Sequence, residues 1–388
     1  MPGTLVRLPF EDGLLVPWRP SGITPIEPEP GGFESRVAYA AAHVVCDSLV
    51  DQVPGEPASV DWEGTLAFRH HLWAMGLGVA EAMDTAQRGA GLDWKAAQDL
   101  IGRTIEEARA VNGRLVSGAG TEQLSSDPEM DLSRIVEAYR EQVEYIENLG
   151  GRIILMASRA LAARARSEED YLEVYGQILS EVSQPAMIHW LGEMFDSALA
   201  GYWGSRDQWI ALETVLAIAK RFPDQIDGIK ISVLDDQIEI ALRRGLPEGV
   251  RVYTGDDLNF PDLILGDAEG HSDALLGVFD AIAPAAVAAL QALDRGDVRR
   301  YGMMLESTLP LARHLFAFPT NHYKTGIVFL AYLNGWQTHF RMLGGAERDR
   351  SLPHLARILI LADRAGVLAD PERSSERMRL FLAQSGID

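Results

Sequence analysis

The chain of 388 residues carries 56 acidic and 35 basic side chains, which gives a formal charge of −21 at pH 7. Because nucleic acids and anionic membrane surfaces bind clustered positive charge, this balance argues against either of them as a partner. Hydrophobic residue types make up 47% and charged types 23%, as in a globular protein rather than a disordered one.

Further features of the composition indicate the cellular compartment. The single cysteine, Cys46, excludes an internal disulfide and fits a reducing cytoplasm. The amino-terminal sequence has no basic region followed by an apolar core, so we expect no signal peptide. The longest apolar stretches fall short of the ~18 residues that a membrane-spanning helix needs. We therefore expect a cytoplasmic protein.

The first 279 residues contain an irregular segment and then a regular alternation. Residues 1–32 are rich in proline and glycine without periodicity, which predicts an extended arm. In residues 33–279, eight almost continuously apolar segments alternate with helical patterns, as is typical of strands buried on both faces of a parallel sheet. They are, in chain order, RVAYAAAHVV, GVAEAM, RLVSG, RIILMA, PAMIHW, DGIKIS, VRVY and SDALLGV.

Eight strands alternating with helices predict a (β/α)₈ TIM barrel, an α/β fold. An open doubly wound sheet is the alternative, but no G-x-G-x-x-G follows the first strand and no Walker loop occurs. Between the fifth and sixth strands, Ser205 and Gln208 form a capping-box pattern, which predicts that a helix begins at Ser205.

Residues 280–388 contain helical patterns only and predict an appended C-terminal helical module. Its amphipathic segments have more aromatic side chains than one flank of a barrel needs. We therefore predict a homodimer or homotetramer in which such surface is buried between subunits. The aromatic residues concerned are Phe316, Phe318, Phe329, Tyr332, Trp336 and Phe340.

Lysine is rare in this chain: only four of the 35 basic residues are lysine, and the rest are arginine. Because arginine serves here as the general surface cation, a retained lysine has a raised chance of a role that needs a deprotonated amine. Lys230 lies inside the apolar segment DGIKIS, where burial would lower its pKa and make a neutral nucleophile available for Schiff-base chemistry. The alternative is a lysine that faces solvent or pairs with Asp256.

Other candidate residues follow the predicted strands, because barrels of this kind hold their active sites at the carboxyl ends of the strands. Each also has a structural interpretation. His43 could be a hydrogen-bonded wall residue, Asp84 could pair with Arg88, and Glu193 could be a solvated helix start. The ionisable candidates are His43, Asp84, Arg88, Arg159, His189, Glu193 and Asp257.

Three short motifs resemble the dihydrodipicolinate synthase/N-acetylneuraminate lyase superfamily, which consists of class I aldolase barrels. They are GIK at residues 228–230, GDD at residues 255–257 and G-x-x-x-G at residues 266–270. LDRGDVRR in the tail is also similar, and EAMDTAQRGAGLDW resembles an uncharacterised bacterial branch that is dihydrodipicolinate synthase-like. The resemblance implies the same barrel with a helical C-terminal module, and it implies that Lys230 forms the Schiff base.

The chain departs from the superfamily pattern at several positions. The superfamily has G-T-T-G-E after its second strand, whereas this chain has DTAQR, so that only Thr85 matches. His189 stands where the superfamily has a tyrosine, Arg159 lies near the position of the proton-relay tyrosine, and Met194 replaces an arginine. Dihydrodipicolinate synthesis is therefore not expected. His189 becomes the candidate acid/base, since an unperturbed histidine pKa near 6.5 suits proton transfer.

The sequence thus predicts a Schiff-base-forming (class I) aldolase or lyase that acts on a small keto acid or keto sugar without a cofactor. Lys230 would form the imine, His189 would move protons with help from Thr85, and the polar candidates would bind the substrate. One alternative is a metal-dependent sugar isomerase or class II aldolase, although no H-x-H spacing supports a metal site. The other is a barrel that binds a ligand without catalysis.

Overall fold

The structure is a computed structural model that describes residues 4–125 and 127–387. These residues form two compact units. The barrel unit contains residues 36–42 and 78–277, and the helical unit contains residues 4–35, 43–77 and 278–387. The boundaries drawn from the sequence, after residues 32 and 279, remain a prediction about domains.

The regular elements follow the predicted order. The strands are β1 (Val6–Pro9), β2 (Leu15–Trp18), β3 (Ala38–Ala41), β4 (Gly78–Glu81), β5 (Leu115–Ala119), β6 (Ile153–Leu155), β7 (Ala186–Leu191), β8 (Ile226–Ser232), β9 (Arg251–Thr254) and β10 (Asp273–Leu276). The helices are α1 (Trp62–Ala74), α2 (Trp94–Val111), α3 (Leu132–Asn148), α4 (Arg159–Arg164), α5 (Glu168–Leu179), α6 (Gln208–Arg221), α7 (Asp236–Gly245), α8 (Phe260–Leu265), α9 (Val278–Asp294), α10 (Val298–Leu315), α11 (Tyr323–Asn334), α12 (Leu352–Arg364) and α13 (Pro371–Gln384).

Strands β3 to β10 form a closed parallel barrel in which β10 pairs with both β3 and β9. The predicted TIM barrel is therefore confirmed, and each of the eight apolar segments overlaps one of its strands. The first strand of the barrel is shorter than its apolar segment, because β3 ends at Ala41 whereas the apolar segment continues to Val45.

The barrel interior is filled by side chains that alternate along the strands, as parallel β-structure requires. The layer of buried side chains inside the barrel consists of Tyr39, Ala41, Ala80, Met83, Val116, Ile154, Met187, Tyr253 and Leu275. At the edge of the layer the Tyr253 hydroxyl donates to Asp227 at 2.7 Å, and Arg152 forms an ion pair with the same carboxylate at 3.0 Å. The interior is thus a packed core in which the Tyr253 side chain is fixed by a hydrogen bond. A binding site is therefore expected at the carboxyl ends of the strands.

The G-x-x-x-G motif forms a tight turn between α8 and β10. Gly266 has a φ of +81°, and a Cβ atom there would lie 2.3 Å from the carbonyl oxygen of Gly270. A backbone bridge joins Asp267 to Gly270 across the turn. The motif therefore has a steric explanation within the fold, since only glycine fits this approach of backbone to backbone.

One prediction about local structure is wrong. Helix α6 begins after Asp207, whose side chain accepts from the backbone N–H of Trp209, whereas the Ser205 hydroxyl accepts from Asp207 N–H two residues earlier. The amino-terminal arm lies in the helical unit, where its strands β1 and β2 pair as an antiparallel hairpin. Val6 and Leu8 on β1 are buried, and β1 contacts α12 and α13.

Most of the aromatic side chains of the C-terminal helical module pack against other residues of the helical unit. The ring of Phe329 packs against those of Phe340 and Phe381 at centroid distances of 4.9 and 5.1 Å. Trp336 stacks on His71 at 3.6 Å. Of the six aromatic residues on which the oligomer prediction rested, only Phe318 is strongly exposed, at 91%. The internal packing of the tail therefore weakens the reasoning behind that prediction.

The described residues include no helix with both the length and the apolar character that crossing a membrane would need.

Candidate active site

Lys230 lies in the interior of the barrel at the carboxyl half of β8. It is paired in register with His189 on β7 and with Tyr253 on β9, and only 4% of it is exposed. Gly255, just after β9, lies close against β8, because a Cβ atom there would lie 2.1 Å from the Ser232 hydroxyl oxygen, 2.7 Å from the Ile231 carbonyl oxygen and 3.1 Å from Lys230 Cε. The amine is thus held on an apolar strand inside the barrel, with the backbone that follows β9 packed against it.

Burial lowers the pKa of the Lys230 amine below its ordinary value, because the charged form loses its hydration. The carboxylates of Asp84 and Asp257 act in the opposite direction and raise this pKa, since they stabilise the ammonium. Asp256 does not take this role. Its side chain accepts from the backbone N–H groups of Leu258 and Asn259 at 2.9 and 3.1 Å. The alternative in which Lys230 pairs with Asp256 therefore has no support in these contacts.

His189 is fully buried beside Lys230. Its Nε2 lies 3.3 Å from the Ser232 hydroxyl, and its Nδ1 has no hydrogen-bond partner among the described residues. Burial and the positive charge of Lys230 hold the pKa of His189 well below its usual range. The ring is therefore neutral at physiological pH and offers one unpaired nitrogen, which suits proton transfer to or from a bound molecule.

Asp84 and Thr85 lie in a 3₁₀ turn, Asp84–Ala86, that follows β4. The backbone reverses sharply around this turn, with positive φ values of 52° at Ala82 and 60° at Gln87. Thr85 is buried and Asp84 is half-buried. The turn brings the Asp84 carboxylate into electrostatic reach of Lys230, and the role of Thr85 remains a proposal.

Arg88 serves the structure of the barrel unit rather than presenting a free cation. Its guanidinium donates to the side chains of Glu122 and Gln142 and to the carbonyl oxygen of Gly118, the last at 2.7 Å. It also lies over the Trp94 ring, 5.2 Å from the centroid. These contacts join the end of β4 to β5 and α3. A substrate-binding role for Arg88 stays a prediction.

Arg159 and Glu193 lie on the surface of the barrel unit. The Arg159 side chain is 47% exposed and donates to Asp196 at 2.5 Å and to the Gly89 carbonyl oxygen at 3.3 Å. Glu193 is exposed in the turn after β7. The structure does not join either residue to Lys230 by a hydrogen bond or an ion pair among the described residues, and their substrate role stays a prediction.

His43 belongs to the helical unit and has a buried partner there. Its Nδ1 lies 2.7 Å from Asp280 Oδ2, and its backbone N–H donates to the same oxygen at 2.7 Å. The ring packs on Phe68 at a centroid distance of 4.5 Å. Its Nε2 is buried without a partner among the described residues. This geometry matches the wall-residue interpretation, while a substrate role for His43 stays a prediction.

Three residues that contribute to these arrangements were absent from the sequence-based set. Ser232 lies on the same face of β8 as Lys230, and a period of two from Lys230 would have indicated it. Gly255 appears in the sequence only as the first residue of the GDD motif, which does not indicate that it lies against β8. Asp280 lies in the first turn of α9, far along the chain from His43, and no local pattern links the two.

Among residues 4–125 and 127–387, no group of three or more histidine, cysteine, aspartate or glutamate side chains is arranged to hold a metal ion.

Comparisons with known proteins place the fold among described structures. A family model described as "Protein of unknown function (DUF993)" matches residues 6–387. No curated protein matches the sequence. Dihydrodipicolinate synthase from Aquifex aeolicus is 14% identical with a TM-score of 0.64, over 86% of this chain and 99% of that one. Dihydrodipicolinate synthase from Thermotoga maritima is 16% identical with a TM-score of 0.60, over 90% and 98%.

A third structure is that of the prophage protein YagE from E. coli K12, of the dihydrodipicolinic acid synthase family, in complex with pyruvate. It is 15% identical with a TM-score of 0.63, over 91% of this chain and 99% of that one. At such identities the likeness concerns the fold. The chain has the barrel fold of the dihydrodipicolinate synthases, as its motifs predict.

Proposed function

The chain belongs to DUF993, a family of proteins of unknown function, and we propose that it is a Schiff-base-forming (class I) lyase of the aldolase type. This activity is inferred from the residues of its own site. The observation that carries this proposal is one lysine inside the barrel, at the carboxyl half of β8, with its pKa lowered by burial. A buried amine whose neutral form is accessible is the group that imine chemistry requires.

The proposed reaction begins when the neutral Lys230 amine attacks the carbonyl carbon of the substrate. A C–N bond forms, the carbonyl oxygen takes up a proton, and loss of water leaves a protonated imine. A base then removes the proton from the hydroxyl group on the carbon β to the imine carbon. The bond between the α and β carbons breaks, and its electron pair moves to the imine as an enamine while an aldehyde leaves. Protonation of the enamine and hydrolysis of the imine release the second product and restore the amine.

His189 is the base in this scheme. Its neutral ring and unpaired Nδ1 lie on the strand next to Lys230, in register with it. Once protonated, His189 can return the proton to the enamine. Thr85, in the turn after β4, and Ser232, at the end of β8, supply hydroxyl groups. The imine itself is the electron sink, so the reaction needs no metal or organic cofactor.

The direct test is reductive trapping with borohydride, which converts an imine to a stable secondary amine. The protein is incubated with a panel of keto acids and keto sugars, and the digested peptides are read by mass spectrometry. A mass increase on the peptide that contains Lys230 supports the proposal. Label found only on other lysines, or on none, contradicts it.

The pH dependence of imine formation has a predicted direction. The rate of trapping should rise through the lowered pKa of Lys230 and then level off, because only the neutral amine attacks. Asp84→Asn removes a charge that raises this pKa, so the inflection should move to lower pH. Initial trapping rates measured between about pH 5 and 10 check this. Asp224 is an exposed residue before β8, and Asp224→Asn is the matched control, which should not move the inflection of the pH profile.

The assembly of the protein is also part of the proposal. Phe318 in the helical unit is 91% exposed, and Trp209 and Ile210 in the barrel unit are 55% and 59% exposed. Trp209 and Ile210 are adjacent, and contiguous exposed apolar surface marks interaction sites on soluble proteins. We expect light scattering at micromolar concentration to give at least twice the chain mass of 42.6 kDa, as for a homodimer or homotetramer. A mass of one chain would contradict this. A cytoplasmic location, with Cys46 as a buried free thiol, completes the proposal.

A further inference from the structure

We propose that the substrate of the Lys230 site is an uncharged, hydroxylated ketone, of the keto-sugar class, and not a keto acid. This inference rests on the function proposed above and narrows it. Its basis is the kind of charged and hydrogen-bonding groups that the barrel unit places around the amine.

The charges that act on Lys230 are negative. Asp84 follows β4 and Asp257 follows β9, and both interact electrostatically with the amine. Asp257 is buried and Asp84 is half-buried, so solvent screens them only in part. Both carboxylates therefore already act on the position where the imine would form. A substrate carboxylate would add a further negative charge, and like charges in a partly buried site repel.

The arginines that could neutralise a substrate carboxylate are engaged elsewhere. Arg88 is held by Glu122, Gln142 and the Gly118 carbonyl oxygen, and Arg159 is paired with Asp196. The loops after β5, β8 and β9, which are residues 120–131, 233–235 and 255–259, contain no lysine or arginine at all. His189 cannot replace a cation, because burial keeps its ring neutral.

The same groups suit substrate hydroxyls. A carboxylate only accepts hydrogen bonds, and a hydroxyl can donate one to it. The unpaired Nδ1 of His189 and the hydroxyl of Ser232 add groups that can donate to or accept from further hydroxyls. A polyhydroxylated carbonyl compound therefore satisfies groups that a keto acid would leave unpaired or repel.

The test compares two three-carbon ketones that differ at one end. Hydroxyacetone carries a hydroxymethyl group where pyruvate carries a carboxylate. Each is incubated with the full chain and cyanoborohydride, the label on the Lys230 peptide is quantified, and each rate is divided by that of Nα-acetyl-lysine with the same ketone. We expect the normalised rate for hydroxyacetone to exceed that for pyruvate by about tenfold or more, since like-charge contacts cost several kcal/mol.

Charge variants show whether the carboxylates cause the preference. The double variant Asp84→Asn/Asp257→Asn should raise pyruvate labelling relative to hydroxyacetone, whereas Asp224→Asn should leave the ratio unchanged. A normalised pyruvate rate equal to or above that of hydroxyacetone overturns the inference and leaves the Schiff-base function standing. Absence of label on Lys230 with every ketone overturns the Schiff-base function, and the inference falls with it.

Discussion

Lys230→Arg is expected to abolish both turnover and reductive trapping while the protein stays folded. Arginine keeps the positive charge and much of the volume of lysine. Its guanidinium has a pKa above ~12, so it does not lose a proton at working pH and cannot add to a carbonyl carbon. The position is sensitive to this difference, because burial lowers the pKa of the Lys230 amine and so gives access to its neutral form. Turnover of a trapped substrate and label on the Lys230 peptide are the two measurements.

Matched variants separate loss of chemistry from loss of structure. Lys220 is exposed at the end of α6 in the same unit, and Lys220→Arg should keep full turnover and trapping. Lys230→Met has no charge to bury, and it should match Lys230→Arg in activity while remaining folded by circular dichroism. Near-normal turnover in Lys230→Arg would exclude the Schiff-base mechanism, because a lysine that only pairs with carboxylates can be replaced by arginine.

The barrel could be predicted from the sequence because a strand that is buried on both faces is a nearly continuous run of apolar residues. Segments such as PAMIHW and DGIKIS are apolar without alternation, and each forms a strand of the closed barrel. His189 is the single polar residue of PAMIHW and Lys230 is the single basic residue of DGIKIS, so both were expected in the interior or in a site. The strand order of the fold makes the two strands neighbours, and the structure shows that the two residues are paired in register.

The partners of the polar candidates could not be predicted, because they come from distant parts of the chain. Arg88 has the position expected of a substrate ligand, yet its contacts come from Glu122 and Gln142, more than thirty residues away. His43 likewise bonds to Asp280. Residue type and spacing predict that a side chain follows a strand, but they do not show which hydrogen bonds it has already made.

The arm and the tail show the same limit for apolar residues. Proline and glycine in residues 1–32 hide the alternation of Val6 and Leu8, so the sequence predicts an extended arm but not the pairing of β1 with β2. In the tail, the amphipathic pattern predicts that an apolar face is buried, but it does not show by what. Phe329 and Phe340 pack on Phe381 of α13. An apolar stripe predicts burial, and the fold decides what buries it.

His189→Phe is expected to lower turnover by about 10²–10⁴-fold while imine trapping on Lys230 remains detectable. Phenylalanine fills the space of the ring and has no nitrogen to carry a proton. Imine formation depends on the lysine, so it should survive, whereas bond cleavage needs the base. The two readouts separate a proton-transfer role from simple damage to the site, since damage would reduce trapping in proportion to turnover.

The pH profile gives an independent check on this role. Because burial and Lys230 lower the pKa of His189, its basic form persists into the acid range, and the acid limb of kcat should lie below the usual range of histidine. His189→Phe should remove that limb. His271 is an exposed histidine before β10, and His271→Phe should leave both turnover and the profile unchanged. Unchanged turnover in His189→Phe would leave His189 as a wall of the site, and the base would then have to be a carboxylate, with Asp84 the first to test because it already acts on the Lys230 amine.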